Sequence, residues 1–269
     1  MISLSRPLVA IGRLAADEAG RRRPRTPLLG FLLAVLALTV SAAGCDGDPH
    51  FATISPGSQL PSSAICGEQV DTIDRPETHP GNVERNTTTG GPTVDIDGAD
   101  ERWNTELAPR VVGDYAGTTE QILLWGSCKW GFDENITRAR AVTESSWSMD
   151  TAGDVTEDPE LCALIALEAP CAQSHGLLQV KGTVHEGTYP RSTESTAFGV
   201  DYAMAWLRAC YEGSFTWLEA EGYEVGDEWG CVGAWFSGHW YDEGAERYIA
   251  EVRGHLTERT WEDYRAADG

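Results

Sequence analysis

A single carboxylate, Glu144, closes a run over residues 139–147 whose spacing reads as the last turns of a helix. Ala141 lies three residues before it and Trp147 three residues after it. An apolar base and an indole at those spacings keep water from the carboxyl group, and burial disfavours its charged form. The partial negative charge of a helix C-terminus acts in the same direction. Arg140, four residues earlier, opposes both if it pairs with the acid. An acid held protonated near neutral pH is suited to protonating a poor leaving oxygen, such as the bridging oxygen of a glycoside. A second informative stretch holds Ser174, His175, Gly176, Leu177, Leu178, Gln179 and Val180. It reads as a tight glycine turn that carries an amide.

The elements that must hold these groups are helical. Thr118 with Gln121 three residues on forms a capping box, and Gly131 is placed to end the helix that follows. Asp133 caps a second helix, with Glu134 in its first turn and Ile136, Ala139 and Val142 turned inward. That helix ends close to Glu144. Ser195 caps a third, in which Phe198, Tyr202, Ala205, Trp206 and Ala209 share one face, and Gly213 ends it. Residues 230–236 read as a short buried helix. Residues 242–264 read as an amphipathic one with Tyr248, Ile249, Val252 and Leu256 on one side. Residues 148–175 form an acidic connection too long for an ordinary loop, and residues 183–192 form another loop. Alternating strand patterns are few. The expected fold is mainly α, with one core-forming domain over residues 111–269.

The chain opens differently. A basic flank, an apolar run over residues 28–40 and the small residues Ser41, Ala42, Ala43 and Gly44 read as a signal peptide, residues 1–44, with a membrane anchor that is never cleaved as the alternative. Ala42, Ala43, Gly44 and Cys45 resemble the lipobox of bacterial lipoproteins. That resemblance implies a lipid on Cys45, a membrane attachment through it, and an exported protein of the bacterial cell envelope. Residues 45–110 are rich in Pro, Gly, Ser, Thr and Asp, without a sustained period. They read as a tether over residues 46–60 and an irregular extension over 61–110, with full disorder as the rival. Setting Cys45 aside leaves six cysteines, an even set that suits disulfides in an oxidising compartment. Closeness in sequence favours Cys162 with Cys171 and Cys210 with Cys231, leaving Cys66 with Cys128, and buried free thiols are the alternative. No pair has the spacing of a zinc site, and His185 with Glu186 lacks the second histidine of a metalloprotease helix. No metal and no cofactor is called for. The net charge of −22 repels nucleic acid and anionic headgroups.

Taken in order, the motifs resemble the soluble lytic transglycosylases of the lysozyme-like superfamily. These carry Glu-Ser at a helix end and then a Gly-Leu-Met-Gln-Val turn. Here Glu144 and Ser145 are followed by Gly176, Leu177, Leu178, Gln179 and Val180, with Leu178 in place of the methionine. Residues 200–207 and 233–238 continue the likeness, which spans about residues 118–261. The resemblance implies a lysozyme-like helical domain that cleaves peptidoglycan glycan strands between N-acetylmuramic acid and N-acetylglucosamine. Glu144 would act first as acid and then as base, forming 1,6-anhydro ends. Ser145, Gly176, Leu178 and Gln179 would build the cleft, and Trp235, Tyr241 and Tyr248 would contact sugar. Two departures stand out. The interval from Glu144 to Gly176 is longer than usual, and Trp235 and Phe236 replace a Tyr-Asn pair. The longer interval holds Asp150, Asp154, Glu157 and Asp158. One of these acting as a second carboxylate would make a hydrolytic muramidase, while a solvated acidic loop is the plainer reading. His175 reads as a loop histidine. A wall-binding lipoprotein without activity is the alternative from another class.

Overall fold

A computed structural model describes residues 50–96 and 98–265. Residues 1–49, which include the segment read as a signal peptide and Cys45, lie outside the described residues. The fold is mainly α. In chain order the helices are α1 (Ser63–Val70), α2 (Val83–Thr87), α3 (Thr119–Trp130), α4 (Glu134–Ser145), α5 (Pro159–Leu164), α6 (Arg191–Glu194), α7 (Thr196–Glu212), α8 (Glu228–Ser237), α9 (Glu243–Glu258) and α10 (Trp261–Arg265). Between α4 and α6 lie the two-residue strands β1 (Ala152–Gly153), β2 (Ser174–His175) and β3 (Val180–Lys181).

Local chemistry sets most helix ends. The Thr118 hydroxyl accepts from the Gln121 N–H at 3.3 Å, and the Gln121 side chain accepts from the Thr118 N–H at 2.8 Å. Gly131 then ends α3 with φ of 68°. Asp133 caps α4 and Ser195 caps α7. α7 is buried along almost its whole length and packs against α3 on one flank and α8 on another. α4 and α8 both pack on α9, so the end of α4, the end of α8 and the first half of α9 meet. Gly233 permits that approach, because a Cβ there would lie 2.8 Å from both the Ala245 Cβ and the Ile249 side chain.

Three disulfides join the expected pairs. Cys66–Cys128 ties α1 to α3, Cys210–Cys231 ties α7 to α8, and Cys162–Cys171 closes a segment around α5. The last bridge, with Ile165 and Tyr189, forms a small apolar cluster separate from the main core.

Three expectations need correction. Residues 50–58 do not run free as a tether: they are laid along the body. The Phe51 N–H donates to Glu134 at 2.8 Å, the Thr53 hydroxyl to Glu228 at 2.8 Å, and Arg208 donates to the Ile54 carbonyl at 2.8 Å. The long connection after Glu144 contains an antiparallel sheet of order β1-β2-β3. Its strands are too short to leave an alternating pattern. The final helix is also broken, because Arg259 takes a left-handed φ of 53° between α9 and α10.

Candidate active site

Glu144 sits half-buried in the last turn of α4. Two donors from other helices converge on its Oε1. The Tyr248 hydroxyl of α9 lies at 2.5 Å and the Trp235 indole N–H of α8 at 3.1 Å. Burial pushes the Glu144 carboxyl up to about 7. The Tyr248 bond, the Arg140 charge and the Trp235 bond pull the other way, while Asp154 adds to the rise. The result is a group that is half protonated near neutral pH, suited to giving and then taking a proton.

Arg140 is wholly buried and stacks 5.4 Å over the Trp235 ring instead of pairing with the acid. The enclosing rings are also not the expected ones. Ser146 and Trp147 both take left-handed φ angles, 50° and 62°, which turn the chain at the end of α4. Trp147 is thereby carried to His79 and Tyr264, and its N–H donates to the Arg138 carbonyl. The rings that meet Glu144 come from Trp235 and Tyr248.

The glycine turn lies against the end of α4. The Ser145 hydroxyl donates to the Leu177 carbonyl at 2.8 Å. Gly176 has φ of 76°, and a Cβ there would come within 2.7 Å of the Ser192 carbonyl oxygen. Gln179 donates to the Thr151 and Gly176 carbonyls at 3.0 and 2.8 Å, so its N–H groups brace the turn. Leu178 is buried in the main core and offers no surface to a ligand. Ser145 therefore ties the glycine turn to the end of α4, and Leu178 and Gln179 hold that turn from within. Tyr241 does not join the site. It is 39% exposed and bonds Asp227 at the N-cap of α8, about two turns from Trp235.

The sheet brings one carboxylate of the acidic connection toward the site. The register Gly153 to Ser174 to Lys181 sets Asp154 beside both partners. Ser174 donates to Asp154 at 2.7 Å and the Lys181 ammonium lies 3.2 Å away. Partial burial works against the charge, but the Ser174 bond and Lys181 outweigh it and hold Asp154 below the usual carboxylate range. Asp150 instead pairs with Arg85 at 2.6 Å, and Glu157 and Asp158 are exposed. His175 bonds the Ala172 carbonyl. His185 is buried against Trp235, their rings 5.2 Å apart and 7° from parallel, and burial pushes its pKa down to about 3. Sequence reasoning gave His185 no role here, because only the fold brings it to α8.

Among the described residues, one group has metal-ligand spacing, His50 with Asp133 and Glu134. Its atoms are already engaged: Glu134 holds His50 and the Phe51 N–H, and Asp133 caps α4.

Replacing Tyr248 by Phe removes a bond that favours the Glu144 anion. The Glu144 carboxyl is then expected to titrate at higher pH than in the wild type, as followed by carbon NMR. An unchanged or lower midpoint would mean that the hydroxyl does not hold the carboxylate.

No family model, no curated protein and no solved structure matches the chain.

Proposed function

We propose that the protein is a peptidoglycan lytic transglycosylase, as its resemblance to that family implies, with Glu144 as the one acid and base. The observation that carries this reading is the Glu144 carboxyl, raised to about 7 by burial and held by Tyr248 and Trp235 beside the glycine turn. Protonated Glu144 gives its proton to the glycosidic oxygen as the bond from C1 of N-acetylmuramic acid to that oxygen breaks. The resulting carboxylate takes the proton of the sugar's own C6 hydroxyl, whose oxygen bonds to C1. Glu144 ends protonated as it began, and no water is consumed. The product is a 1,6-anhydro end, and a second carboxylate is not required, unlike the two-carboxylate schemes of most glycosidases.

A second reading is favoured by Asp154. It is kept ionised by Ser174 and Lys181, and its charge is felt at Glu144. As a base toward water it would give a hydrolytic muramidase. The two separate in one digestion of purified peptidoglycan, with the released fragments weighed. The lytic route gives ends lighter by one water, and Asp154→Asn leaves their yield near that of wild type. Reducing ends that vanish in Asp154→Asn would establish hydrolysis. No released fragments, with the protein retained on the glycan, would leave a binding protein.

A further inference from the structure

Arg140 lies one turn before Glu144 on α4, the spacing of an i, i+4 ion pair. It forms no such pair. Its side chain is wholly buried, and its Nη1 lies 3.5 Å from the Met204 sulfur. Among the described residues its Nε and Nη2, also buried, meet no acceptor. A buried cation without a counter-ion is costly, and a polar group held in that state calls for a physical reason. The reason lies in what the guanidinium faces. It stacks 5.4 Å over the Trp235 ring. His185 lies 7° from parallel to the same ring, and Trp206 meets it at 76°. These neighbours fix the plane of the indole, whose N–H donates to the Glu144 Oε1. A cation over an indole face draws on the π density, which makes the N–H a stronger donor. The Arg140 charge is also felt at the Tyr248 hydroxyl, the other donor to Oε1.

Other ionisable groups surround this arrangement. Asp154 disfavours the Glu144 anion and is itself paired with Lys181. His185, against Trp235, is kept neutral by burial. Glu228, in the first turn of α8 and bonded to Thr53, feels the Arg140 charge as well. Arg140 is the cation whose charge favours the Glu144 anion.

We infer that Arg140 is a positioning residue for Glu144: it fixes Trp235 on the acid and holds a positive charge, cancelled by no other pair, beside the carboxylate that forms when the proton leaves. While Glu144 is protonated, the Arg140 charge stands alone. Once Glu144 has given its proton to the leaving oxygen, cation and anion offset each other, and the proton's return restores the first state. The charge and both donors are in place beforehand, so neither step needs them to rearrange. The inference rests on the glycan-cleaving reading for the meaning of these steps, while the hold on the acid is tested apart from turnover.

Glu144 is titrated by carbon NMR in the whole protein, with Arg140→Met and Arg140→Lys beside wild type. Arg140→Met keeps an unbranched stem and removes the charge, so the Glu144 midpoint should rise by about one pH unit. Arg140→Lys keeps the charge and should bring the midpoint back most of the way to that of wild type. On purified peptidoglycan, Arg140→Met should lower kcat about tenfold at neutral pH with KM little changed, and the alkaline limb of its pH profile should follow the midpoint upward. Thermal melting separates this role from packing. The charge favours the folded state only where Glu144 is ionised, so Arg140→Met should be folded at pH 5, and its melt relative to wild type should be lower at pH 8 than at pH 5. A midpoint that stays or falls in Arg140→Met, an Arg140→Lys midpoint as high as that of Arg140→Met, or an Arg140→Met protein unfolded at pH 5 would overturn the inference. A raised midpoint in Arg140→Met, with wild type releasing no fragments, removes only the catalytic reading. An unmoved midpoint with intact cleavage removes only the role of Arg140.

Discussion

Glu144→Gln should release fragments from purified peptidoglycan about a thousandfold more slowly than wild type, the scale of losing a general acid. The amide keeps the shape of the side chain and still offers an oxygen to the Tyr248 hydroxyl and the Trp235 N–H. It has no acidic proton to give and no basic oxygen to take one back. The same substitution should not weaken the fold, and the sign follows from the titration. The carboxyl ordinarily titrates at 4.5 and is raised to about 7 in the folded state. The folded protein therefore binds this proton more tightly than the unfolded chain. Stability falls as pH rises from about 4.5 to about 7, and above that the whole cost is present. Glutamine removes this cost, so thermal melting at pH 8 should be as high as in wild type or higher, with no such advantage at pH 4. An inactive variant with an unimpaired melt supports the assignment. A variant as active as wild type ends it.

The largest loss of stability is expected at Asp201, in the middle of α7. Its carboxylate accepts from Lys129 at 2.7 Å, the Trp130 indole at 2.7 Å, the Val112 N–H at 2.8 Å and the Gly113 N–H at 2.9 Å. Both charged side chains are buried, at 1% and 0% exposure. A buried pair is weak evidence of net stabilisation, but removing one partner strands the other charge. Asp201→Ala should cost about 3–5 kcal/mol in urea unfolding. Adding Lys129→Met should recover part of that loss, because the stranded ammonium is gone. A cost under about 1 kcal/mol would mean that water reaches Lys129 when Asp201 is removed.

What the sequence disclosed was local. Thr118 with Gln121, Asp133 and Ser195 mark helix starts because a cap bonds within three residues of itself, and such geometry is written in consecutive letters. The position of Glu144 at a helix end was legible for the same reason. Its surroundings were not. Trp147 is near in sequence, but the left-handed Ser146 and Trp147 carry its ring away, and no glycine announces that turn. Tyr248 and Trp235 arrive from 104 and 91 residues along the chain, through the packing of α9 and α8. The sheet escaped notice because two residues per strand cannot display a period of two. Residues 50–58 read as a linker by composition, yet they are fixed by the Phe51 N–H on Glu134, the Thr53 hydroxyl on Glu228 and the Ile54 carbonyl on Arg208, partners more than 80 residues away to which composition is blind.

The small apolar cluster of Cys162, Ile165, Cys171 and Tyr189 gives the segment that carries α5 a core of its own. Its bridge spans only nine residues, and its core is not continuous with that of the main body. A tile closed upon itself in this way is free to vary: side chains on its outer face, such as Leu164 and Val155, are replaceable without disturbing the alignment of the Glu144 helix. The outer contacts of this segment can thus change at Leu164 while the bridge and the strand register beside Asp154 stay in place.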